Sequence, residues 1–206
     1  MFYQLVSPYI ERSSEQNFKR NQIIYHEGDK PKSLYFINSG LVGLFHISAE
    51  GKETFLRVFG KEDIFGHRSY LAEEPYHASS VALTPVTLTV ISSEECNRIC
   101  HSNPELLMSI TSMVARDLGD AELRLAGLLD KTAHRRISES LVYLKLKHPD
   151  YTWTRKEIGE YSGSTPETVT RVMRILERKN IIKKHGRDFE ILNNDKLLSL
   201  KEEDLY

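Results

Sequence analysis

The chain has 206 residues, 40% of them apolar, and a formal net charge of −1 at pH 7. This length accommodates one large domain or two modest ones, and the composition is that of a folded chain rather than a disordered one. No run approaches the roughly 18 apolar residues of a membrane span, and the first 18 residues lack the basic and apolar regions of a secretory signal. We therefore expect a cytoplasmic protein without a membrane partner.

The near-neutral total hides a division of charge along the sequence. Residues 1–130 hold 12 basic and 17 acidic residues, whereas residues 131–206 hold 16 basic and 12 acidic ones. Within the second part, residues 131–190 hold 14 basic residues against 8 acidic ones. A basic segment of this kind fits a domain that meets a polyanion, and it also fits an ordinary solvated surface.

From Phe18 to Ser92 the sequence predicts short strands separated by turns. The β-rich runs are QIIY, SLYFI, LVGLFHI, TFLRVF, SSVAL and VTLTVI. Glycines stand at the turns between them, and strands at roughly 8 to 12 residue spacing favour an antiparallel sandwich or barrel. Residues 65–83 predict a short helix tied to a following strand, with His67 and His77 ten residues apart. No catalytic motif interrupts these runs.

Two helices are predicted after the strands. SSEECNRICHS carries the chain's two cysteines, Cys96 and Cys100, on one face, where they fit small semi-buried side chains better than a redox pair. Residues 104–131 then form one helix without internal proline, about 40 Å long at 1.5 Å per residue. Its coiled-coil-like seam consists of Thr111, Val114, Leu118, Ala121, Leu125 and Leu128. Because such a helix outruns one small domain, the sequence favours a homodimer seam.

Residues 133–206 predict a helix at ISESLVYLKLKH, a short strand at YTWT, two further helices, and a hairpin at IIKKHGRDFEIL. Thr154 and Glu157 have the spacing of a capping box for the first of the two helices. Gly163 ends that helix, and Thr165 caps the next one, which has proline at its first position. This order is helix, turn, helix.

The second helix of this pair has an apolar and a polar face. The apolar stripe contains Val169, Val172, Met173 and Leu176, and the polar row contains Glu167, Thr170, Arg171 and Arg174. Arg171 can donate two hydrogen bonds to guanine, Glu167 can accept one from cytosine, and Thr170 can offer its methyl group to thymine. A solvated helix face is the alternative. The basic charge, the glycine turn and the preceding dimer seam favour the DNA-binding interpretation, and Lys183, Lys184 and Arg187 of the hairpin are expected to meet phosphates.

Several short motifs accompany these elements. They are EGD at 27–29, LYFINSG at 34–40, EGKE at 50–53, GKEDIFG at 60–66 and TRKEIGEYSGSTPETVTRVMRILE at 154–177. On these motifs the chain resembles the cyclic-AMP receptor protein and fumarate-nitrate-reduction regulator (CRP/FNR) superfamily of bacterial transcription factors, from about Phe18 to Leu192. The resemblance implies an α+β fold. A cyclic-nucleotide-binding-like β jelly roll (1–103) is followed by a long dimerisation helix and hinge (104–132) and a winged helix-turn-helix (133–206).

The resemblance further implies a homodimer that binds double-stranded DNA at two-fold related half-sites and recruits or obstructs RNA polymerase. In the family, Glu167 and Arg171 match the positions that read TGA, and Thr170 stands where the oxygen-sensing branch usually has serine, so we expect a site similar to TTGA…TCAA. The expected DNA contacts are Glu167, Thr170, Arg171, Arg174, Thr165, Thr154, Lys183, Lys184 and Arg187. The other interpretation is a cyclic-nucleotide-gated module of an enzyme. Because 206 residues leave no room for a catalytic domain beside these elements, no enzymatic activity is expected.

The effector site departs from the pattern of members that bind cAMP. Those members use a glutamate after F-G for the sugar hydroxyl and an arginine for the phosphate. Here His67 stands at the glutamate position, His77 at the arginine position, and Ala78 in place of serine or threonine. Ala121 and Glu122 stand where the helix would face the adenine. Neutral imidazole is a poor substitute for guanidinium against a phosphodiester, so we expect that cAMP does not bind.

Three interpretations of the two histidines stay open. They fill a collapsed or differently occupied pocket, they line a site for another small effector, or they ligate haem or a metal as imidazole often does. In the second case, Arg68 and the Gly66 amide would act as anion donors. No Cys or Met is evidently placed to complete a haem site, and the N-terminal four-cysteine cluster of the oxygen-sensing branch is absent, so no cofactor is expected. The full predicted pocket is Gly66, His67, Arg68, His77, Ala78, Ala121 and Glu122.

Overall fold

The structure is a computed structural model that describes residues 14–200. The described residues do not include 1–13 or the acidic residues 201–206. The expected lack of a secretory signal falls on the first of these ranges. Contacts divide the chain into two compact units, Met1–Ala121 and Glu122–Tyr206. None of the helices in the described part of the chain is long and apolar enough to cross a membrane.

The N-terminal unit is a sandwich of two antiparallel sheets. Its strands are β1 (Ser14–Phe18), β2 (Ile23–Tyr25), β3 (Ser33–Ser39), β4 (Val42–Ile47), β5 (Glu53–Phe59), β6 (Ile64–Phe65), β7 (Ser79–Ala82) and β8 (Val86–Ser92). One sheet has the order β1-β8-β3-β6 and the other β2-β7-β4-β5. The predicted jelly roll and all six predicted strands are confirmed. The sequence did not reveal β1, whose first four residues are polar and exposed, or β6, which has two residues.

Aromatic side chains fill much of the space between the sheets. The Tyr25 and Tyr76 rings stack with their centroids 3.7 Å apart, and Tyr35 and Phe65 stack at 4.9 Å. The Tyr76 hydroxyl donates to the Ser33 carbonyl at 3.2 Å, which satisfies its polar end. This core holds β6, and therefore the start of the segment that follows it, in a fixed position.

A short helix, α1 (His67–Ala72), lies between β6 and β7, as predicted. A second helix, α2 (Ser93–Ser102), begins where the Ser92 hydroxyl accepts a hydrogen bond from the Glu95 amide at 3.1 Å. Cys96 and Cys100 of α2 are buried with their Sγ atoms 3.9 Å apart, and burial raises the pKa of the Cys96 thiol to about 12. Both cysteines are therefore small structural side chains, and they are buried more deeply than the predicted semi-buried pair.

The long helix, α3 (Pro104–Asp130), is one residue shorter than predicted. Its first turns pack with α2, because Leu106 and Ile110 are buried in the same apolar cluster as the two cysteines. The two compact units meet between Ala121 and Glu122, inside this helix rather than at its ends. The last turns of α3, from Glu122 onward, therefore belong to the C-terminal unit. The predicted hinge at the end of this helix stays a prediction.

The C-terminal unit contains the predicted helices and hairpin. Its elements are α4 (Ala133–Lys147), α5 (Arg155–Ser162), α6 (Pro166–Arg178), β9 (Ile182–His185), β10 (Asp188–Ile191) and α7 (Asn194–Ser199). α4 begins earlier than predicted because the Thr132 hydroxyl accepts from the Arg135 amide at 3.4 Å and caps it. The short α7 was not predicted.

The predicted strand over residues 151–154 is wrong. This segment is a loop, and the two-stranded sheet of the C-terminal unit consists of β9 and β10. The aromatic residues that favoured a strand are core anchors instead, because Tyr151 and Trp153 are buried with their rings in an edge-to-face contact at 4.6 Å. The Tyr151 hydroxyl donates to the Glu157 carboxylate at 2.6 Å, so the loop fixes the start of α5.

Candidate nucleic-acid interface and sensor pocket

Helix α6 separates a buried face from an exposed one, as the sequence predicted. The residues of the apolar stripe are at most 3% exposed; they are Val169, Val172, Met173 and Leu176. On the polar row, Glu167, Arg171 and Arg174 are exposed and Thr170 is half-buried. The buried stripe fixes the helix on α4 and α5, so the polar row is presented to solvent as one surface.

The Thr170 side chain is already engaged on one side. Its hydroxyl donates to the Pro166 carbonyl one turn earlier, at 2.8 Å. This bond commits the hydroxyl proton to the helix backbone, as threonine often does within helices. The methyl group is therefore the part of the Thr170 side chain that could contact a base.

Helix α5 and the turn after it have the predicted local chemistry. The Thr154 hydroxyl accepts from the Glu157 amide at 3.2 Å, and the Glu157 carboxylate accepts from the Thr154 amide at 2.8 Å. Gly163 ends the helix with φ 66°, and the Thr165 hydroxyl accepts from the Thr168 amide at 3.2 Å. Thr154 and Thr165 are thus exposed N-caps, and a phosphate near them would meet the first amides of each helix.

The hairpin of β9 and β10 forms the wing beside α6. Lys183 and Arg187 are exposed. Lys184 is half-buried, and its ammonium pairs with the Glu177 carboxylate of α6. Of the three predicted phosphate contacts, two are open to solvent and one is paired within the protein.

Two further cations tie the wing to the rest of the unit. The Lys145 ammonium of α4 lies 2.7 Å from the Asp188 carboxylate of β10. Although burial opposes ionisation of Asp188, hydrogen bonds from Lys145 and the Phe189 amide lower the pKa of its carboxyl. Arg155 of α5 donates to the Arg187 carbonyl at 3.1 Å. The wing is therefore fixed to α4, α5 and α6 by separate contacts.

The predicted sensor pocket in the N-terminal unit begins at Gly66, which has φ 84° and directly precedes α1. The following residue, His67, is buried, with 4% of its surface exposed. Its Nε2 atom lies 3.4 Å from an Asp117 carboxylate oxygen of α3. Its Nδ1 atom is buried without a hydrogen-bond partner among the described residues. At this pocket position, the His67 side chain therefore contacts the long helix α3.

Asp117 also binds Arg57 of β5. One guanidinium nitrogen pairs with its carboxylate, and another donates to its backbone carbonyl at 2.6 Å. Burial works against ionisation of Asp117, but the hydrogen bonds from His67 and Arg57 outweigh it and lower the pKa of the carboxyl. A carboxylate therefore stands between a histidine and an arginine at this end of the barrel. Neither Asp117 nor Arg57 was predicted, although Asp117 lies one turn before Ala121 on the same helix face.

The other predicted pocket residues differ in their exposure to solvent. His77 is exposed at its outer side, and partial burial of its ring, followed by the charge of Arg68, lowers the pKa of the imidazole. Arg68 is exposed and pairs with Glu74 at 3.4 Å. Ala78 is fully buried. The lowered pKa favours the neutral form of His77, and Arg68 is directed at a neighbouring carboxylate.

Ala121 and Glu122 are exposed at the junction of the two compact units. The predicted dimer seam is also open to solvent, with Leu118, Leu125 and Leu128 at least 50% exposed, and Thr111 exposed and Val114 half-buried. Within residues 14–200, no three His, Cys, Asp or Glu side chains are grouped so that they could hold a metal ion.

Comparison with known proteins identifies both units. Residues 15–103 match the cyclic nucleotide-binding domain family, and residues 123–200 match the Crp-like helix-turn-helix domain family. The cAMP-activated global transcriptional regulator CRP of Salmonella typhimurium is 31% identical over 173 residues, which cover 80% of this chain and 82% of that protein. This chain belongs to the CRP/FNR family of DNA-binding transcription regulators.

Solved structures of CRP/FNR regulators share the fold. FixK2 from Bradyrhizobium japonicum superposes with a TM-score of 0.80 at 22% identity, over 90% of this chain and 95% of that chain. The c-di-GMP responsive global regulator CLP from Xanthomonas campestris superposes with a TM-score of 0.79 at 19% identity, over 92% of this chain and 99% of that chain. The helix-turn-helix family match begins at residue 123, next to the unit boundary inside α3.

Proposed function

We propose that this CRP/FNR regulator is a homodimer that binds pseudo-palindromic DNA similar to TTGA…TCAA and is not controlled by cAMP. The observation that carries the DNA site is the polar row of α6, which is held outward by a buried apolar stripe. Glu167, Thr170 and Arg171 on this row have the chemistry to recognise cytosine, thymine and guanine edges in a major groove. Lys183 and Arg187 of the wing support phosphate contacts beside it.

The exposed seam of α3 supports the homodimer. Three leucines at coiled-coil spacing, Leu118, Leu125 and Leu128, are at least half-exposed in the single chain. Pairing two copies along this seam removes that apolar surface from water and places two copies of α6 for two half-sites. The partners we propose are a second copy of this chain, double-stranded DNA and, as the target of regulation, RNA polymerase in the cytoplasm.

The contacts of Asp117 support the independence from cAMP. A cyclic phosphate is an anion, and the carboxylate of Asp117 already pairs with Arg57 and faces His67 in this region. Like charge disfavours a second anion beside it. His67 and His77 also replace the acidic and cationic side chains that a cyclic nucleotide would use.

A different small effector is the second candidate for this barrel. Its support is the buried Nδ1 atom of His67, which has no partner in the part of the chain that the structure describes. A protein of the same fold, CLP, is described as c-di-GMP responsive. Haem finds less support, because Nε2 of His67 faces Asp117 and both cysteines are buried in the cluster around α2. We therefore propose no resident cofactor.

Fluorescence anisotropy tests the DNA site. The ligand-free protein is titrated onto a TTGA…TCAA duplex and a scrambled duplex at about 150 mM salt, since the affinity depends on salt. We expect at least about 10³-fold tighter binding to the specific duplex. Arg171→Ala should lose about 1–3 kcal/mol and its preference at one guanine, whereas Arg178→Ala removes the same charge at the end of α6 and should keep the preference. Equal affinity of the wild type for both duplexes would contradict the proposed site.

Calorimetry and absorption test the proposals on effectors. Titration with cAMP to millimolar concentration should give no saturable heat, and a saturable heat would refute independence from cAMP. Freshly purified protein should show no band near 400 nm, and incubation with haem should not create one. A band that survives gel filtration would support the haem alternative instead.

A further inference from the structure

The end of α5 is held by two arginines. The Tyr161 carbonyl accepts a hydrogen bond from Nη2 of Arg124 at 2.9 Å. The next two carbonyls, of Ser162 and Gly163, accept from Nε and Nη2 of Arg136 at 3.1 and 3.4 Å. The last carbonyls of a helix have no partner within it, and cations near them are favourable. Three consecutive carbonyls at the turn of the helix-turn-helix are therefore bound by guanidinium groups.

The two arginines come from the segments that precede the helix-turn-helix. Arg124 lies in the last turns of α3, on the C-terminal side of the unit boundary. Arg136 lies in the first turn of α4, and its Nη1 atom donates to the Lys131 carbonyl just after α3 at 2.7 Å. The end of α3 and the turn after α5 thus share one hydrogen-bonded group. They are also in close approach, because a Cβ atom on Gly163 would lie 3.0 Å from a methyl group of Leu128.

Arg124 makes a second contact that fixes its direction. Its guanidinium lies over the Tyr161 ring, 4.4 Å from the centroid, and that ring stacks on Tyr143 of α4 at 5.5 Å. A planar guanidinium can stack on a ring and donate to a carbonyl at the same time, which the ammonium of lysine does less well. The contact therefore depends on arginine and not only on positive charge.

We propose that Arg124 and Arg136 form a clamp that sets the orientation of the helix-turn-helix against the last turns of α3, and that Arg124 is a positioning residue for binding two half-sites. The inference rests on the proposed function, because orientation matters when two copies of α6 must meet half-sites at a fixed spacing. A single half-site makes no such demand. The clamp should therefore affect the simultaneous binding of two half-sites and not the contacts of α6 with either half-site alone.

The test compares two duplexes, one with both half-sites and one with a single half-site and a scrambled remainder. Anisotropy is measured for the wild type, for Arg124→Met and for Arg116→Met, which removes the same charge from an exposed position on the same helix. We expect Arg124→Met to reduce the ratio of the two affinities by about tenfold or more and to bind the single half-site as the wild type does. Arg116→Met should keep the wild-type ratio.

Unchanged ratios in Arg124→Met, or equal losses on both duplexes, would overturn the clamp. The chain's one tryptophan, Trp153, is buried in the C-terminal unit, so its emission reports whether that unit remains folded in the variant. If Arg124→Met loses the buried emission, Arg124→Lys gives the test, with the same expected change at smaller size. A wild type with equal affinity for the two duplexes would contradict the proposed dimeric function, which is a different outcome from failure of the clamp.

Discussion

The ammonium of Lys184 pairs with the carboxylate of Glu177 and so joins the first strand of the wing to helix α6. The charge of Lys184 is therefore neutralised within the protein. Lys184→Ala should weaken DNA binding by up to about fivefold, the value of a partly exposed ion pair. We expect the dependence of affinity on salt to stay unchanged, because the ammonium is already paired with Glu177.

Lys183 provides the comparison, since it neighbours Lys184 and is exposed. Lys183→Ala should make the slope of log K against log salt shallower by about 0.9, the contribution of one phosphate contact. Titrations at four salt concentrations measure both slopes. Glu177→Gln should weaken binding as Lys184→Ala does. Tighter binding by Glu177→Gln would instead mean that Glu177 holds Lys184 back from a phosphate.

Thr170 should recognise the C5-methyl group of thymine. Its hydroxyl donates to the Pro166 carbonyl, so Thr170→Ser removes the methyl group and keeps that bond. Replacing the contacted thymine by deoxyuridine should cost the wild type about 0.8 kcal/mol, the value of one buried apolar carbon, and should cost Thr170→Ser nothing further. Anisotropy on the two duplexes completes the cycle. An equal loss in both proteins would show that the methyl groups do not meet.

Asp117 should stabilise the N-terminal unit in a pH-dependent way. Its pKa is lowered in the folded state, so its contribution is complete above the ordinary aspartate pKa of about 3.9 and is lost as the pH falls below that value. At pH 7, Asp117→Asn should reduce the free energy of unfolding by about 1–3 kcal/mol, because it weakens hydrogen bonds to a charged group. The difference from the wild type should shrink in acid.

Urea unfolding followed by circular dichroism measures this effect at several pH values. Asp120→Asn is the control, since Asp120 is exposed on the same helix, one turn away. A difference between Asp117→Asn and the wild type that stays constant from pH 7 to pH 3 would rule out the carboxylate charge as its origin.

The dimer seam should depend on its leucines. Leu118→Glu combined with Leu125→Glu should convert a dimer, of twice the 23.8 kDa chain mass, into a monomer, since paired carboxylates would replace apolar contacts. Leu123→Glu should leave the dimer intact, because Leu123 is 72% exposed but lies off the seam. Sedimentation velocity distinguishes the two masses. Dissociation by Leu123→Glu alone would point to a different interface.

Most of the fold could be predicted because local sequence chemistry decides it. The capping box at Thr154, the positive φ at Gly163 and the apolar stripe of α6 all follow from residue type and spacing. The strand predicted around Trp153 failed because aromatic composition favours a strand and a core anchor alike. Only packing distinguishes them, and packing depends on distant residues.

The exposed polar row of α6 could be predicted, whereas the contacts around the predicted sensor pocket could not. Glu167 and Arg171 lie on one helix and obey its periodicity. Asp117, Arg57 and His67 meet from α3, β5 and α1, and no spacing in the sequence relates positions so far apart. The pairing of Lys184 with Glu177 has the same cause, because it depends on how the wing folds back onto α6.

The chain's two cysteines, Cys96 and Cys100, are both on the buried face of α2, where burial raises the pKa of the Cys96 thiol. Thiolate exposure controls exchange with disulfides, so neither cysteine is open to thiol–disulfide exchange at the surface of the folded chain. A dimer isolated without reductant therefore owes nothing to cross-links between copies, and a cysteine introduced on the wing would be the one site that a thiol-reactive dye labels readily.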